Sequence, residues 1–239
     1  PNDVQRIQTQ KSLDARLKCV YNYKEDSKKN LLDLIDSAGI ARTEVFAGDY
    51  LDEPQITIIS PTRDFYESLL PKFRNKLNFH WALEALEENS YSSKDDISDE
   101  TTLSKTLDDA TDDTSAHNQS SIVFLLETDE KQKFLFTGDA GRDAFNHVPQ
   151  TLLGKVKDVT WMKVPHHGSK HNLDSTIIKH VNPEIAYIST EKQGKYLNRS
   201  TVFALKKNGT KVYSTSQNRS TIRHGAIKTR EGWTKIEPM

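Results

Sequence analysis

The sequence of 239 residues contains one cysteine, Cys19, which excludes an internal disulfide and a zinc cluster built on cysteines. It has no uninterrupted apolar run near the ~20 residues that a membrane-spanning helix requires, and no signal peptide is recognisable. The net charge is only -1, and 28% of the residues are charged, which is typical of a soluble globular protein. We therefore expect a cytoplasmic protein without a membrane segment.

Charge is distributed unevenly along the chain. Positions 84–113 hold eleven acidic residues and two lysines, whereas positions 205–239 hold eight basic residues and two glutamates. Residues 90–115 contain repeated Asp-Asp pairs and almost no aromatic side chains, so they offer little apolar surface to bury. We predict a single domain over 1–239 with an acidic, mobile surface insertion at 90–115. An acidic lid over a site is the functional alternative for this stretch.

Short apolar runs alternate with helical patterns along most of the sequence. The strand-like runs lie at 43–46, 56–59, 122–126, 133–137, 159–164, 185–189, 211–215, 220–227 and 233–236. The helical patterns lie at 13–21, 31–35, 65–70, 143–147, 173–181 and 201–207. Such strand–helix–strand alternation predicts an α/β fold in which helices pack on a sheet.

Two polar motifs follow two of these strand-like runs. The first is Thr137-Gly138-Asp139, and the second is Pro165-His166-His167-Gly168-Ser169. In α/β proteins, neighbouring strand ends are where ligands and catalytic groups are placed, and a carboxylate and an imidazole there can bind one divalent metal. Adjacent side chains of an extended segment point to opposite faces, so we expect one histidine of the pair to face the metal. The spacing does not decide which one, and a plain turn with solvated histidines is the structural alternative.

The two motifs resemble the last two metal-binding motifs of the metallo-β-lactamase-fold hydrolases, and in particular the soluble hydrolase domain of the ComEC/Rec2 competence proteins. The resemblance covers roughly residues 45–233 and implies the C-terminal half of an αββα sandwich. It implies that Asp139 bridges metal ions and that His166 or His167 is a ligand. The implied activity is hydrolysis of a phosphoester or nucleic acid by metal-activated water, with zinc as the metal and manganese or iron as alternatives.

Further residues near the motifs are candidates for lining the site. They are Asn118, Ser121, Gly138, Gly168, Ser169, His147 and His171. Asn118 and Ser121 belong to an Asn-x-Ser-Ser phrase that resembles one preceding the Thr-Gly-Asp strand in ComEC-like proteins. Gly138 permits a tight turn with close backbone approach. Ser169 is positioned to cap the next helix, and its helix end is an alternative site for an anion such as phosphate.

The His-x-His-x-Asp-His motif of that family is absent from the 239 residues. A His-Pro that ComEC-like chains often carry is also absent, because positions 194–199 read Gly-Lys-Tyr-Leu-Asn-Arg. A catalytic zinc usually has three protein ligands and a water, so we expect an incomplete metal site. Three explanations remain open: the chain is a portion of a longer hydrolase, it pairs with a separate subunit that carries the first half, or it is a non-catalytic remnant.

A second function, as a nucleic-acid-binding or assembly module, is suggested by the basic C-terminal stretch. Seven of its eight basic residues form the candidate interface, namely Lys206, Lys207, Lys211, Arg219, Arg223, Lys228 and Arg230, with Tyr213 and Trp233 interleaved. Basic side chains with aromatic neighbours are typical of nucleic-acid interfaces. A solvated surface is the plainer interpretation, and a net charge of -1 gives the whole chain no attraction to nucleic acid.

Overall fold

A computed structural model describes residues 31–73, 100–190, 197–215, 222–223, 231 and 234–239. The helix predicted at 13–21 lies outside the described residues, as do the first ten residues of the predicted insertion and most of the strand predicted at 220–227. None of the helices in the described ranges has the length and apolar character of a membrane span.

Helices and strands alternate through most of the described chain, which confirms the predicted α/β class. The helices are α1 Leu31–Ser37, α2 Arg63–Leu69, α3 Glu100–Asp108, α4 Ala116–Gln119, α5 Arg142–Asn146, α6 Gln150–Leu153, α7 Ser175–Val181 and α8 Arg199–Lys207. The strands are β1 Tyr50–Leu51, β2 Ile56–Ser60, β3 Val123–Glu127, β4 Lys133–Phe136, β5 Trp161–Lys163, β6 Ile185–Ile188, β7 Lys211–Ser214, β8 Ile222–Arg223 and β9 Thr234–Lys235. A 3-10 turn lies at Leu70–Lys72, and a tight turn with non-helical backbone angles lies at Pro165–Gly168.

Strands β1 to β7 form one sheet in chain order, and β8 pairs with β9 separately. The strands from β1 to β4 are antiparallel, whereas β4 to β7 are parallel and are joined by helical crossovers. At the centre of the parallel part, Leu135, Met162, Ala186 and Val212 are successive register partners across four strands. All four are almost completely buried, so this row forms the middle of the core.

Side-chain caps fix where several of the helices begin. The Thr62 side chain accepts a hydrogen bond from the backbone of Phe65 at 3.2 Å, and Asp174 accepts one from Ile177 at 2.7 Å. Asn198 caps α8 through the backbone N–H of Ser200. Such caps satisfy backbone N–H groups that have no partner inside the helix.

The strand predicted at 43–46 is wrong, and the edge strand forms at Tyr50–Leu51 instead. The backbone N–H of Phe46 donates to the Asp49 carboxylate at 2.8 Å, and the N–H of Asp49 donates back to the Phe46 carbonyl at 3.0 Å. This local turn replaces the hydrogen bonds that a strand would need. Gly48 completes the turn with a φ of 100°, a backbone conformation that side chains rarely adopt.

Residues 100–115 are packed against the rest of the fold, so the expectation that this part has little side-chain surface to bury is wrong. Helix α3 buries Leu107 completely and Leu103 to 9% exposure, and it packs against α7 and α8. The Asp108 carboxylate accepts a hydrogen bond from the backbone of Ser175, at the start of α7. The sequence did contain a signal for this helix, because two leucines four residues apart lie on one helical face.

We expect Leu107→Ala to lower the free energy of unfolding by about 2–5 kcal/mol, because the substitution leaves a cavity in a fully buried position. Ile122→Ala is the matched control, since Ile122 is 48% exposed, and its effect should stay within about 0.5 kcal/mol. Urea denaturation of the two variants and the wild type measures both values. Equal, small losses would mean that the acidic stretch does not pack in solution.

Candidate functional site

The two polar motifs meet at the ends of β4 and β5, which are parallel neighbours. The backbone N–H of His166 donates to the Gly138 carbonyl at 3.3 Å. The hydroxyl of Thr137 donates to the Lys163 carbonyl at 2.7 Å. These two bonds join the strand ends, and the structure thereby places Asp139 and His166 beside each other, as the strand-end argument predicted.

The segment that carries the two histidines is not extended, so that expectation is wrong. His166 has φ 42° and ψ 52°, and His167 has φ 56° and ψ 21°, which puts both residues in the left-handed region. The imidazole rings nevertheless diverge, with their centroids 6.1 Å apart. Gly168 follows with a φ of 88°, and a Cβ there would lie 3.2 Å from the Ile188 side chain. Position 168 therefore has little space for a side chain on the side that faces β6.

His166 belongs to a buried polar cluster centred on Asp113. The ring Nδ1 lies 3.2 Å from Asp113 Oδ2 and 3.2 Å from Asn172 Oδ1. The Asp113 carboxylate also accepts hydrogen bonds from Asn118 Nδ2 at 2.8 Å, Asn172 Nδ2 at 3.0 Å and the backbone of Ser115 at 2.9 Å. The side chains of His166 and Asp113 are only 14% and 9% exposed.

In this pair, hydrogen bonds and charge oppose the effect of burial on the two pKa values. Burial alone would raise the pKa of Asp113, but its hydrogen bonds, first of all the one from His166, hold that pKa below the usual 3.8. Burial alone would lower the pKa of His166, but Asp113, with a further contribution from the Asp139 charge, raises it above the usual 6.5. The fold therefore favours a charged imidazolium–carboxylate pair.

Asp139 faces a lysine that the sequence interpretation did not consider. Lys163 Nζ lies 3.5 Å from Asp139 Oδ1 and also donates to the Gly138 carbonyl. Burial lowers the pKa of Lys163, and the Asp139 charge offsets part of this effect. On its other side, the backbone N–H of Asp139 donates to Ser121 Oγ at 3.1 Å. An ammonium group of this chain thus partly neutralises the Asp139 carboxylate.

His167 is turned toward β6. Its Nδ1 hydrogen-bonds to the carbonyl of Ser189, the residue after that strand. The structure thus separates the two histidines, with His166 in the Asp113 cluster next to Asp139 and His167 beside the end of β6.

The described residues do not fit a complete metal site. Carboxylate and imidazole donors suit zinc or manganese, and Asp139 and His166 provide one of each. However, within the described ranges no group of three His, Cys, Asp or Glu side chains is placed to hold a metal ion. In addition, the Asp139 carboxylate already forms an ion pair with Lys163, which is a further departure from a metal site.

The predicted lining residues occupy different places. Asn118 donates to Asp113, and Ser121 supports the turn at Asp139, where a Cβ on Gly138 would come within 2.9 Å of the Ser121 Cβ. Ser169 is buried, and its hydroxyl accepts from the backbone of His171. Because Asp174 caps α7, the prediction of Ser169 as that cap is wrong.

The rings of the two further histidines hydrogen-bond to other parts of the chain. His147 stacks on Phe65 with ring centroids 4.1 Å apart, and its Nδ1 lies 2.8 Å from the Asp143 carbonyl. His171 Nδ1 lies 2.6 Å from the carbonyl of Thr111. Neither hydrogen bond joins the ring to Asp139 or Asp113.

Sequence reasoning also missed a buried arginine that supports the site. The guanidinium of Arg142 donates to four backbone carbonyls and lies 3.0 Å from Asp112. The carbonyls belong to Leu107, Ala110, Lys170 and Leu173, so they come from two segments that flank the cluster. Arginine is suited to this role because its planar group offers five donors.

A comparison with known proteins agrees with part of the sequence interpretation. ComE operon protein 3 from Bacillus subtilis (strain 168) is 30% identical to this chain over 128 residues. The aligned part is 53% of this chain and 16% of that protein, so the chain spans well under two thirds of the relative's length. No protein-family model and no solved structure matches. The similarity supports a ComEC-like character over half of the chain, while the metallo-β-lactamase fold stays a prediction.

The ionisation of His166 and Asp113 predicts how stability depends on pH. The raised pKa of His166 contributes stability that is complete below pH 6.5 and is lost as pH rises through its value in the folded chain. The lowered pKa of Asp113 contributes stability that is present above pH 3.8 and is lost as pH falls through its value in the folded chain. We expect the difference in free energy of unfolding between wild type and His166→Asn to be largest between pH 3.8 and 6.5.

Chemical denaturation at a series of pH values measures this difference. Asparagine is the substitute because it tolerates the left-handed backbone of His166. A difference that stays constant from acidic to alkaline pH would contradict the ion pair.

Proposed function

We propose that this chain is a portion of a ComEC/Rec2-like, metal-dependent hydrolase that acts on a phosphoester or nucleic-acid substrate. The observation that carries the proposal is the placement of Asp139 and His166 side by side at the ends of β4 and β5, with His166 Nδ1 hydrogen-bonded to a buried carboxylate. Metal-ligating histidines characteristically donate their second ring N–H to a carboxylate or a carbonyl.

In this proposal, residues of this chain would form part of a metal centre. A metal in such a centre lowers the pKa of a bound water and so supplies a nucleophile near neutral pH. Asp139 and His166 would provide two ligands, Asp113 would orient His166 through its ring Nδ1, and Asn118 would hold Asp113. Lys163 partly neutralises the charge of Asp139.

The partial similarity to ComE operon protein 3 supports this division of the site. Because the aligned residues are 16% of that protein, the proposal assigns the other ligands to parts of a hydrolase outside the alignment. Those parts belong either to a longer form of this chain or to another subunit.

We expect this chain to bind little metal when purified, and a form extended by its native upstream sequence to retain one or two metal ions. Asp139→Ala in the extended form should weaken metal binding by more than about 100-fold, because even partners behind the ligands typically contribute 10–100-fold. Plasma mass spectrometry of both forms, with hydrolysis of a phosphodiester as the second readout, checks this. Asp143→Ala is the matched control, since Asp143 lies on α5 and contacts His147.

The outcomes test the metal site and the role of Asp139 separately. If the extended form is empty and inactive, the proposal of a longer hydrolase chain is wrong, and the remaining ligands would have to come from another subunit. If Asp139→Ala keeps its metal and its activity, Asp139 is not a ligand, and the observation that carries the proposal has another meaning.

A second candidate, a nucleic-acid-binding module without catalysis, is favoured by two observations. Lys163 already pairs with Asp139, and Lys206, Lys207 and Lys211 are exposed around the end of α8 and the start of β7. Tyr213, however, is buried and stacks on Tyr187 with ring centroids 5.2 Å apart, so its predicted role as an interleaved aromatic is wrong. Trp233 and the basic residues 219, 228 and 230 lie outside the described residues.

For this module we expect single-stranded DNA to bind at low salt and to dissociate steeply as salt rises. Replacing Lys206, Lys207 and Lys211 together by glutamine should reduce the slope of log affinity against log salt by about 2, since each lost phosphate contact removes about 0.7. Fluorescence anisotropy with a labelled oligonucleotide measures the slope.

The control variant replaces the exposed lysines 155, 157 and 179 by glutamine, which removes the same total charge elsewhere. An equal change in both variants would indicate a general charge effect and not an interface. The absence of binding by the wild type at low salt would eliminate this second function.

A further inference from the structure

Two oxygen atoms face the same nitrogen of His166. Asp113 Oδ2 and Asn172 Oδ1 each lie 3.2 Å from the ring Nδ1. Both oxygens can only accept a hydrogen bond, because one belongs to a carboxylate and the other to an amide carbonyl. The proton that makes these hydrogen bonds must therefore reside on Nδ1.

The orientation of the Asn172 amide is itself fixed by its surroundings. Its Nδ2 donates to Asp113 Oδ2 at 3.0 Å, to the Asp139 carbonyl at 3.1 Å and to the Ala140 carbonyl at 3.4 Å. A reversed amide would set its oxygen against these three acceptors. The oxygen of Asn172 therefore has to point to His166.

The carboxylate of Asp113 is equally constrained. It accepts hydrogen bonds from the backbone of Ser115 and from Asn118, and its own backbone N–H donates to the His171 carbonyl at 3.1 Å. The side-chain amide of Gln119 donates to the Asp113 carbonyl and accepts from the backbone of Ala144. Contacts on every side thus hold Asp113 at a defined position before His166 is added to the cluster.

We propose that Asp113 is a positioning residue which, together with Asn172, locks His166 in the tautomer that carries its proton on Nδ1. In the neutral ring, the lone pair then lies on Nε2, which would be the atom that accepts a proton or binds a metal. This inverts the preference of imidazole in water, where the proton resides mainly on Nε2. The inference stands on the contacts of the ring, so it can hold or fail independently of the hydrolase proposed above.

Nitrogen-15 NMR of the histidine side chains tests the proposal directly, without metal or substrate. In alkaline solution, where the rings are neutral, the chemical shifts and the couplings to ring protons report which nitrogen is protonated. The His166 signals are assigned with His166→Asn. We expect wild-type His166 to be protonated on Nδ1, and Asp113→Ala to shift the population toward protonation on Nε2.

Two variants separate positioning from a general structural effect. Asp113→Asn keeps an oxygen acceptor of the same shape and is expected to retain most of the Nδ1-protonated form. Asp109→Asn is the matched control at a nearby carboxylate, because Asp109 is exposed, and its His166 spectrum should match the wild type.

Protonation of wild-type His166 on Nε2 would overturn the proposal, as would an unchanged tautomer in folded Asp113→Ala. Circular dichroism establishes that each variant is folded. If Asp113→Ala does not fold, Asp113→Ser takes its place, because a hydroxyl can still accept from the backbone of Ser115 but is too short to reach the ring. An unchanged tautomer in folded Asp113→Ser would then refute the proposal in the same way.

Discussion

The buried guanidinium of Arg142 is the interaction on which the arrangement of the site depends. A buried charge is tolerated only when its donors are satisfied, and removing its partners is strongly unfavourable. Arg142 binds the carbonyls of Leu107 and Ala110 on one side and those of Lys170 and Leu173 on the other. The segment after α3 and the loop before α7 are therefore held at fixed positions relative to α5.

These two segments carry the partners of His166. Asp113 follows the first segment directly, and Asn172 lies within the second. The burial of Leu107 anchors the same segment from the apolar side, so packing and charge act at one place. The polar cluster therefore depends on tertiary contacts, and the ends of β4 and β5 contribute only part of it.

The sequence was sufficient to predict the parts of the fold in which local patterns dominate. Apolar runs identified β2 to β7 because these strands are buried, and the motifs around Asp139 and His166 were correctly expected to meet at neighbouring strand ends. It was not sufficient where the decisive partners are distant. Asp113 and His166 are 53 positions apart, and nothing in an Asp-rich run distinguishes the one carboxylate that becomes buried. Likewise, Lys163 became a partner of Asp139 only through the pairing of β4 with β5.

The left-handed backbone at His166 and His167 affects how substitutions at these positions can be interpreted. Residues other than glycine, asparagine, aspartate and histidine adopt this conformation reluctantly, and β-branched residues hardly at all. An alanine scan would therefore combine two losses, the imidazole and part of the backbone compatibility, in a single number. The same constraint applies to related sequences. Asparagine or glycine at these positions indicates that the turn is preserved and its chemistry is changed. Valine or isoleucine indicates that the turn itself has a different backbone conformation.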